Sequence, residues 1–176
     1  MKRILVTGIS GTGKSTVVAA LAAQGYKAVD ADSEAWSEWV TDFRPSAIPG
    51  DSPVEPGRDW VWRADRIATL LATEDADILF LSGCAQNMGP FLPQFDHVVL
   101  LSAPPGVIVD RLAGRTNNAY GKQPHEVARV LDLQQAVEPL LRAAAGHEID
   151  TSRPLAEVVA TILRIAGEPP CTGPAQ

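Results

Sequence analysis

The chain has 176 residues, with 15 lysines and arginines against 21 aspartates and glutamates, for a formal net charge of −6. Such an acidic balance argues against whole-surface attraction to nucleic acid or anionic membrane, so phosphate binding must come from locally placed cations. With 45% hydrophobic residues the length suits one domain with a full core, while no apolar run nears the roughly 20 residues that span a bilayer.

Arg3 to Thr7 reads as a first buried strand. The run Met1 to Val6 is interrupted by Gly8, so no secretory leader is expected and a cytoplasmic location is. Gly8-Ile9-Ser10-Gly11-Thr12-Gly13-Lys14-Ser15 follows at once, and Lys14 to about Gln24 reads as a helix stopped by Gly25. Lys27 to Asp30 is a second strand. Arg44 to Arg58 carries Pro45, Pro49, Pro53 and Pro56, too much proline for a helix or an inner strand, and is expected to be a long covering loop. Trp60, Ala64, Ile67 and Leu71 recur at helical spacing and predict a helix from near Asp59.

Asp77 to Ser82 is the third strand and His97 to Leu101 the fourth. Prolines 104 and 105 open the next helix. Arg115 to Pro124 is polar and turn-prone, which suits a short lid. The helix after Pro124 sends Val127, Val130, Leu131, Val137 and Leu141 to the core and is expected to bend at Pro139. His147 to Ile149 is a fifth strand, followed by a helix at Pro154. Residues 168–176 lack a periodic pattern and are expected to fray. Strands alternating with helices predict an α/β fold in three layers around a parallel sheet, in one domain over residues 1–167 with an acceptor-side insertion at about 33–66. Cys84 and Cys171 are too few for a disulfide framework or a zinc site.

The glycine-rich octapeptide lies between a strand and a helix, the context a phosphate-binding loop requires. Gly8, Gly11 and Gly13 let the backbone curl so that amides from Gly8 through Thr16, those of Ser10 and Thr12 among them, point at anionic oxygens. The helix start adds its positive end. Lys14 is assigned to the β- and γ-phosphates, Ser15 to Mg²⁺, and Thr16 to the vicinity of the α-phosphate.

In open parallel sheets ligands lie at the carboxyl ends of strands, where the second strand delivers Asp30 and Asp32. Asp30 is a candidate to hold Mg²⁺ through water and Asp32 to bind or deprotonate an acceptor hydroxyl. The alternative is that one of them caps a helix starting near Ser33 or Glu34. Phosphoryl transfer spreads negative charge that needs cations around it. Arg111 and Arg115 share a helix face, Arg129 lies beyond the lid, and a guanidinium such as Arg111 suits covering a base. Arg63, Gly83, Gln86 and Asn87 are candidate acceptor contacts. Arg63 has the alternative of pairing with Asp59, and Trp60 that of packing in the core.

These residues resemble the nucleoside-monophosphate kinase and shikimate kinase group of small P-loop phosphotransferases. Val29-Asp30-Ala31-Asp32 is similar to the paired-aspartate strand end of shikimate and gluconate kinases, which implies a metal role for the first acid and an acceptor role for the second. Leu100-Leu101-Ser102-Ala103-Pro104 with Arg111 and Arg115 is similar to the strand and arginine pair that open the lid of adenylate kinases, implying base packing for Arg111 and phosphate contact for Arg115. Arg129 resembles the post-lid arginine, and Asp150 to Pro154, with Arg153 and Pro154, the loop bordering adenine. The Gly-Phe-Pro-Arg run of adenylate kinases and the triple glycine of shikimate kinases are replaced by Ser82-Gly83-Cys84-Ala85-Gln86-Asn87.

The resemblance implies a P-loop fold with five parallel strands ordered 2-3-1-4-5, and ATP with Mg²⁺ at the site. The expected activity is transfer of the γ-phosphoryl group to a small hydroxylated metabolite or nucleotide by a monomer or homodimer, with no nucleic-acid or membrane partner. The rivals are a nucleoside-monophosphate kinase proper and a nucleotide-dependent switch without a small acceptor.

Overall fold

β1 (Lys2–Thr7) is apolar on both faces because both faces are covered: Ile4, Leu5 and Val6 have no exposure. In the computed structural model, which describes residues 1–41, 58–116 and 121–167, β1 pairs in parallel with β5 (Ile78–Ser82) on one side and β6 (His97–Ser102) on the other. β2 (Lys27–Asp30) extends the sheet beyond β5 and β7 (His147–Asp150) beyond β6. The order β2-β5-β1-β6-β7 is the predicted one. The period-2 alternation of the strands sorts their side chains between two cores. Leu5, Leu79, Leu81 and Leu100 face one layer, and Ile4, Phe80, Val99 and Leu101 the other.

The second layer is made by α1 (Lys14–Ala23) and α6 (Leu155–Ile165), whose Val17, Leu21, Val158 and Ile162 pack beside Phe80 and Leu101. On the opposite face lie α2 (Ala64–Ala72), a 3₁₀ helix (Gln86–Gln94), α3 (Pro105–Gly114), α4 (Pro124–Ala136) and α5 (Glu138–Ala144). Ile67, Met88, Ile108, Val130 and Leu141 reach the core from these helices.

Three expectations are corrected. The segment from Asp59 does not begin a helix: Arg58–Trp62 is a strand, β4, antiparallel to β3 (Ser37–Thr41). Trp-Val-Trp suits a pleated surface better than a helix, and Trp60 stacks edge-on across the pair against Trp39, centroids 5.0 Å apart. Helical spacing holds only from Ala64 onward. No helix starts at Ser33 or Glu34; Ser33 closes a turn, its carbonyl accepting from the Trp36 and Ser37 amides. Pro139 does not bend a long helix either. It lies in the first turn of α5, where its missing N–H costs nothing, after α4 has ended at Ala136.

The covering loop at 44–57, part of the lid at 117–120, and the tail at 168–176 with Cys171 lie outside the described residues. Among the described residues, no helix is long and apolar enough to cross a membrane.

Candidate active site

β1 ends against β6, and the chain then turns into the glycine-rich loop. Gly8 lies close against the β6 backbone: a Cβ there would lie 2.5 Å from the Leu101 carbonyl oxygen. Gly13 caps α1 in a left-handed conformation (φ 99°) without a side-chain hydrogen bond, so the first amides of α1 are left for an anion. Thr12 is buried and its hydroxyl donates to the Ile9 carbonyl at 2.8 Å, holding the curl.

An open cleft of about 620 Å³ lies over this loop. Ser10, Gly11, Ser15 and Thr16 line it together with Asp30 and Asp32. Arg111, Arg115, Arg153, Leu155 and Val158 line it as well. Residues assigned to the nucleotide from the sequence therefore line one cleft, with Pro154 just outside it as the N-cap of α6.

Lys14, only 8% exposed, is drawn into the loop. Its ammonium donates to the Gly8 and Ile9 carbonyls at 2.8 and 3.3 Å and lies 3.3 Å from Asp32 Oδ2. Asp32 Oδ1 accepts from the Cys84 amide at 3.2 Å. Burial raises the Asp32 carboxyl above its ordinary value; Lys14 opposes that, while the Asp30 charge adds to it. Asp30 Oδ1 accepts from the Asp32 amide at 3.1 Å and from the Ser82 hydroxyl at 3.2 Å. Neither acid caps a helix.

Arg111 reaches across to the loop after β7. One guanidinium nitrogen donates to the Thr151 hydroxyl at 2.9 Å and lies 3.5 Å from the Gly11 and Thr12 carbonyls, while the other meets the Thr151 carbonyl. Thr151 in turn donates to the Thr12 carbonyl at 2.8 Å. Arg111 thus ties the phosphate loop to the segment that borders the cleft. Arg115 donates to the Ser10 hydroxyl at 3.2 Å, over the loop where a terminal phosphate would lie.

Arg129, assigned to the transferring phosphate, and the candidate acceptor contacts stand elsewhere than the sequence suggested. Arg129 does not line the nucleotide cleft; its charge bears on Asp59, a buried β4 carboxyl raised by desolvation and held back by that arginine. Gln86 donates to Asp59 at 2.9 Å. Asn87 spends both ends of its amide on Trp62, accepting from its N–H at 2.9 Å and donating to its carbonyl at 2.7 Å. These two polar side chains fasten the β3–β4 hairpin rather than waiting for an acceptor. Arg63 pairs with Glu38 at 2.7 Å, not with Asp59, because Arg58–Trp62 is extended and sets position 59 about 13 Å along the chain rather than one helical turn away. Gly83 stands beside Asp32: a Cβ there would lie 3.1 Å from Asp32 Oδ1.

Thr151, Ser33 and the Lys14–Asp32 pair were not singled out from sequence. Alternation in Ser37-Glu-Trp-Val-Thr41 was the available signal for the hairpin. Mg²⁺ is a test of the donor set. Ser15 and Asp30 offer hard oxygens on the cleft, but among the described residues no group of three or more His, Cys, Asp or Glu side chains forms a metal cage. A hydroxyl and a carboxylate, both hard oxygen donors, suit an ion that keeps waters and takes phosphate oxygens as ligands.

A family model described as an AAA domain matches residues 4–132. A curated shikimate kinase 2 from Yersinia enterocolitica is 28% identical over 94% of this chain and 95% of its own length. Among solved structures, a shikimate kinase from Acinetobacter baumannii in complex with shikimate superposes with a TM-score of 0.61 at 21% identity, covering 94% of this chain and 93% of that one. A sugar kinase from Janibacter sp. HTCC2649 does so with a TM-score of 0.54 at 18% identity, covering 99% of each. The fold is that of the small P-loop kinases.

Proposed function

The chain belongs to this AAA-domain family, and from that premise we propose that it is an ATP-dependent phosphotransferase acting on a small hydroxylated metabolite. One observation carries the reading: the phosphate-loop lysine and the strand-end carboxylate meet, Lys14 Nζ 3.3 Å from Asp32 Oδ2, on the cleft that Arg115 borders. Donor phosphate and acceptor hydroxyl would converge there.

In this mechanism the amides of residues 8–16 and the N-terminus of α1 hold the triphosphate, and Leu155 and Val158 provide apolar surface for the base. Asp32 accepts the hydroxyl proton as the acceptor oxygen bonds to the γ-phosphorus and the bond to the β–γ bridging oxygen breaks. Lys14 leaves Asp32 for the phosphates, and with Arg115 it balances the charge that spreads over the moving group. Ser15 directly, and Asp30 through water, would hold Mg²⁺, which supplies charge neutralisation on the phosphates. Arg111 and Arg153 bound the nucleotide side, and residues 115–124 act as the lid that excludes water.

The same proposal places the protein in the cytoplasm as a monomer or homodimer. A coupled ADP-release screen over shikimate, gluconate and nucleoside monophosphates, at fixed MgATP, tests it. Acceptor-dependent ADP release with a polyol acid supports it. Release with monophosphates only favours a nucleotide kinase, and slow release that no small compound raises favours the switch.

A further inference from the structure

The last carbonyls of an α-helix have no partner within it, and a cation brought to that end is favoured. α3 meets this need with a residue from further along the chain. Lys122 Nζ donates to the Ala113 carbonyl at 2.6 Å and to the Arg115 carbonyl. Two features bring it there. Gly121, in the left-handed region (φ 88°), lies so near Leu112 of α3 that a Cβ would be 2.8 Å from Leu112 Cδ2, and the Glu126 carboxylate in the first turn of α4 accepts from the Lys122 amide at 3.0 Å. The backbone of Arg115 is held on both sides, since its amide donates to the Arg111 carbonyl at 3.0 Å. There the chain leaves the helix in an extended conformation (ψ 145°), and the guanidinium donates to the Ser10 hydroxyl of the phosphate loop at 3.2 Å.

We propose that Lys122 is a positioning residue for phosphoryl transfer: its grip on the Arg115 carbonyl fixes the peptide from which the Arg115 guanidinium is aimed at the terminal phosphate. The inference rests on the phosphotransferase reading for the transfer step, whereas the aiming of Arg115 concerns any bound triphosphate. An arginine side chain is long and rich in rotamers, so a small rotation of its peptide moves the guanidinium much further, and a displacement of about 1 Å costs on the order of 100-fold in rate. Lys122 does not line the cleft, and Arg115 does; the lysine therefore acts through the arginine. The same ammonium also caps α3. That second contribution does not depend on the Arg115 side chain, because the carbonyls it holds belong to the backbone, and this difference separates the two roles.

The test compares Lys122→Met, which keeps an unbranched stem and removes the donors, with Lys122→Arg, which keeps donors, each with Arg115 intact and with Arg115→Ala, all measured well below their melting temperatures. Affinities for a non-hydrolysable ATP analogue and for ADP are read by calorimetry with Mg²⁺, and ADP release is read with shikimate, gluconate and nucleoside monophosphates. With Arg115 intact, Lys122→Met is expected to lower the preference for the analogue over ADP about threefold and acceptor-dependent kcat about tenfold, with acceptor KM unchanged. Lys122→Arg should keep both near the parent. In the Arg115→Ala background, Lys122→Met should lower the melting temperature as much as before and change neither the preference nor kcat further. An unchanged preference and kcat in Lys122→Met, or equal losses with and without the Arg115 side chain, overturn the proposal and leave Lys122 a helix cap. If the unaltered chain phosphorylates none of the compounds, the phosphotransferase reading fails by itself and the preference for the analogue decides: a loss confined to chains that keep Arg115 sustains the aiming role, and no loss removes it.

Discussion

Asp32→Asn removes one negative charge while keeping the shape of the side chain. The carbonyl of asparagine can still accept from the Cys84 amide, now at 3.2 Å, so the loop after β5 should stay in place. The lost interaction is the 3.3 Å pair with Lys14, whose partners are 9% and 30% exposed. Burial already disfavours the Asp32 charge, but the substitution leaves the Lys14 ammonium buried without its counter-charge, held only by the Gly8 and Ile9 carbonyls, so the net loss of stability should be about 1–3 kcal/mol. For a domain of this size that is a melting shift of roughly 2–12 °C. Turnover behaves differently. Loss of a positioned general base lowers acceptor-dependent kcat by about 10²- to 10⁴-fold, while Lys14, released from its carboxylate, binds MgATP as well as before or better. Calorimetric titration with a non-hydrolysable ATP analogue, beside ADP-release kinetics, reads both quantities. A fall in nucleotide affinity as large as the fall in kcat would show that Asp32 belongs to the donor site and that the two acids have been assigned the wrong way round.

Gly8→Ala sets a Cβ 2.5 Å from the Leu101 carbonyl oxygen and 2.7 Å from the Thr12 hydroxyl; it should cost about 1–3 kcal/mol in denaturant unfolding and weaken nucleotide binding, and a neutral result would mean that β1 and β6 are not so closely joined. Arg111→Ala removes the link between Thr151 and the phosphate loop, so ATP KM should rise about tenfold with acceptor KM unchanged; the opposite split would move Arg111 to the acceptor side. Glu126 accepts from the Gly121, Lys122 and Gln123 amides at 2.9, 3.0 and 3.0 Å, which holds its carboxyl below the usual value of 4.5. Its contribution is present above that value and lost as pH falls through the depressed one. Glu126→Gln should therefore melt below the parent at pH 7 and together with it in strong acid, and a gap that widens on acidification would contradict the assignment.

The cleft over the glycine-rich loop was legible because much of its lining is written in contiguous residues. Gly8 to Ser15 between a strand and a helix leaves few alternatives, and strands buried on both faces announce a parallel sheet. The β3–β4 pair is held by pieces far apart in the chain. Trp62 and Asn87 meet across 25 residues, Gln86 and Asp59 across 27. Helical spacing from Trp60 to Leu71 was real from Ala64 on, but the aromatic residues before it obeyed the competing preference for a strand. That one misplaced boundary turned Arg63 toward Glu38, and the hairpin it hid uses Gln86 and Asn87 as fasteners. Pro139 shows the same limit, since a proline inside an apolar period marks a bend or a new first turn with equal sequence logic.

The most direct measurement follows γ-labelled ATP in the presence of Mg²⁺ and a polyol acid such as shikimate or gluconate. Label recovered on a hydroxyl oxygen of the added compound, and lost in Lys14→Ala that melts like the parent, is the result expected of a phosphotransferase. Label recovered only as inorganic phosphate, with every compound tried, would contradict it.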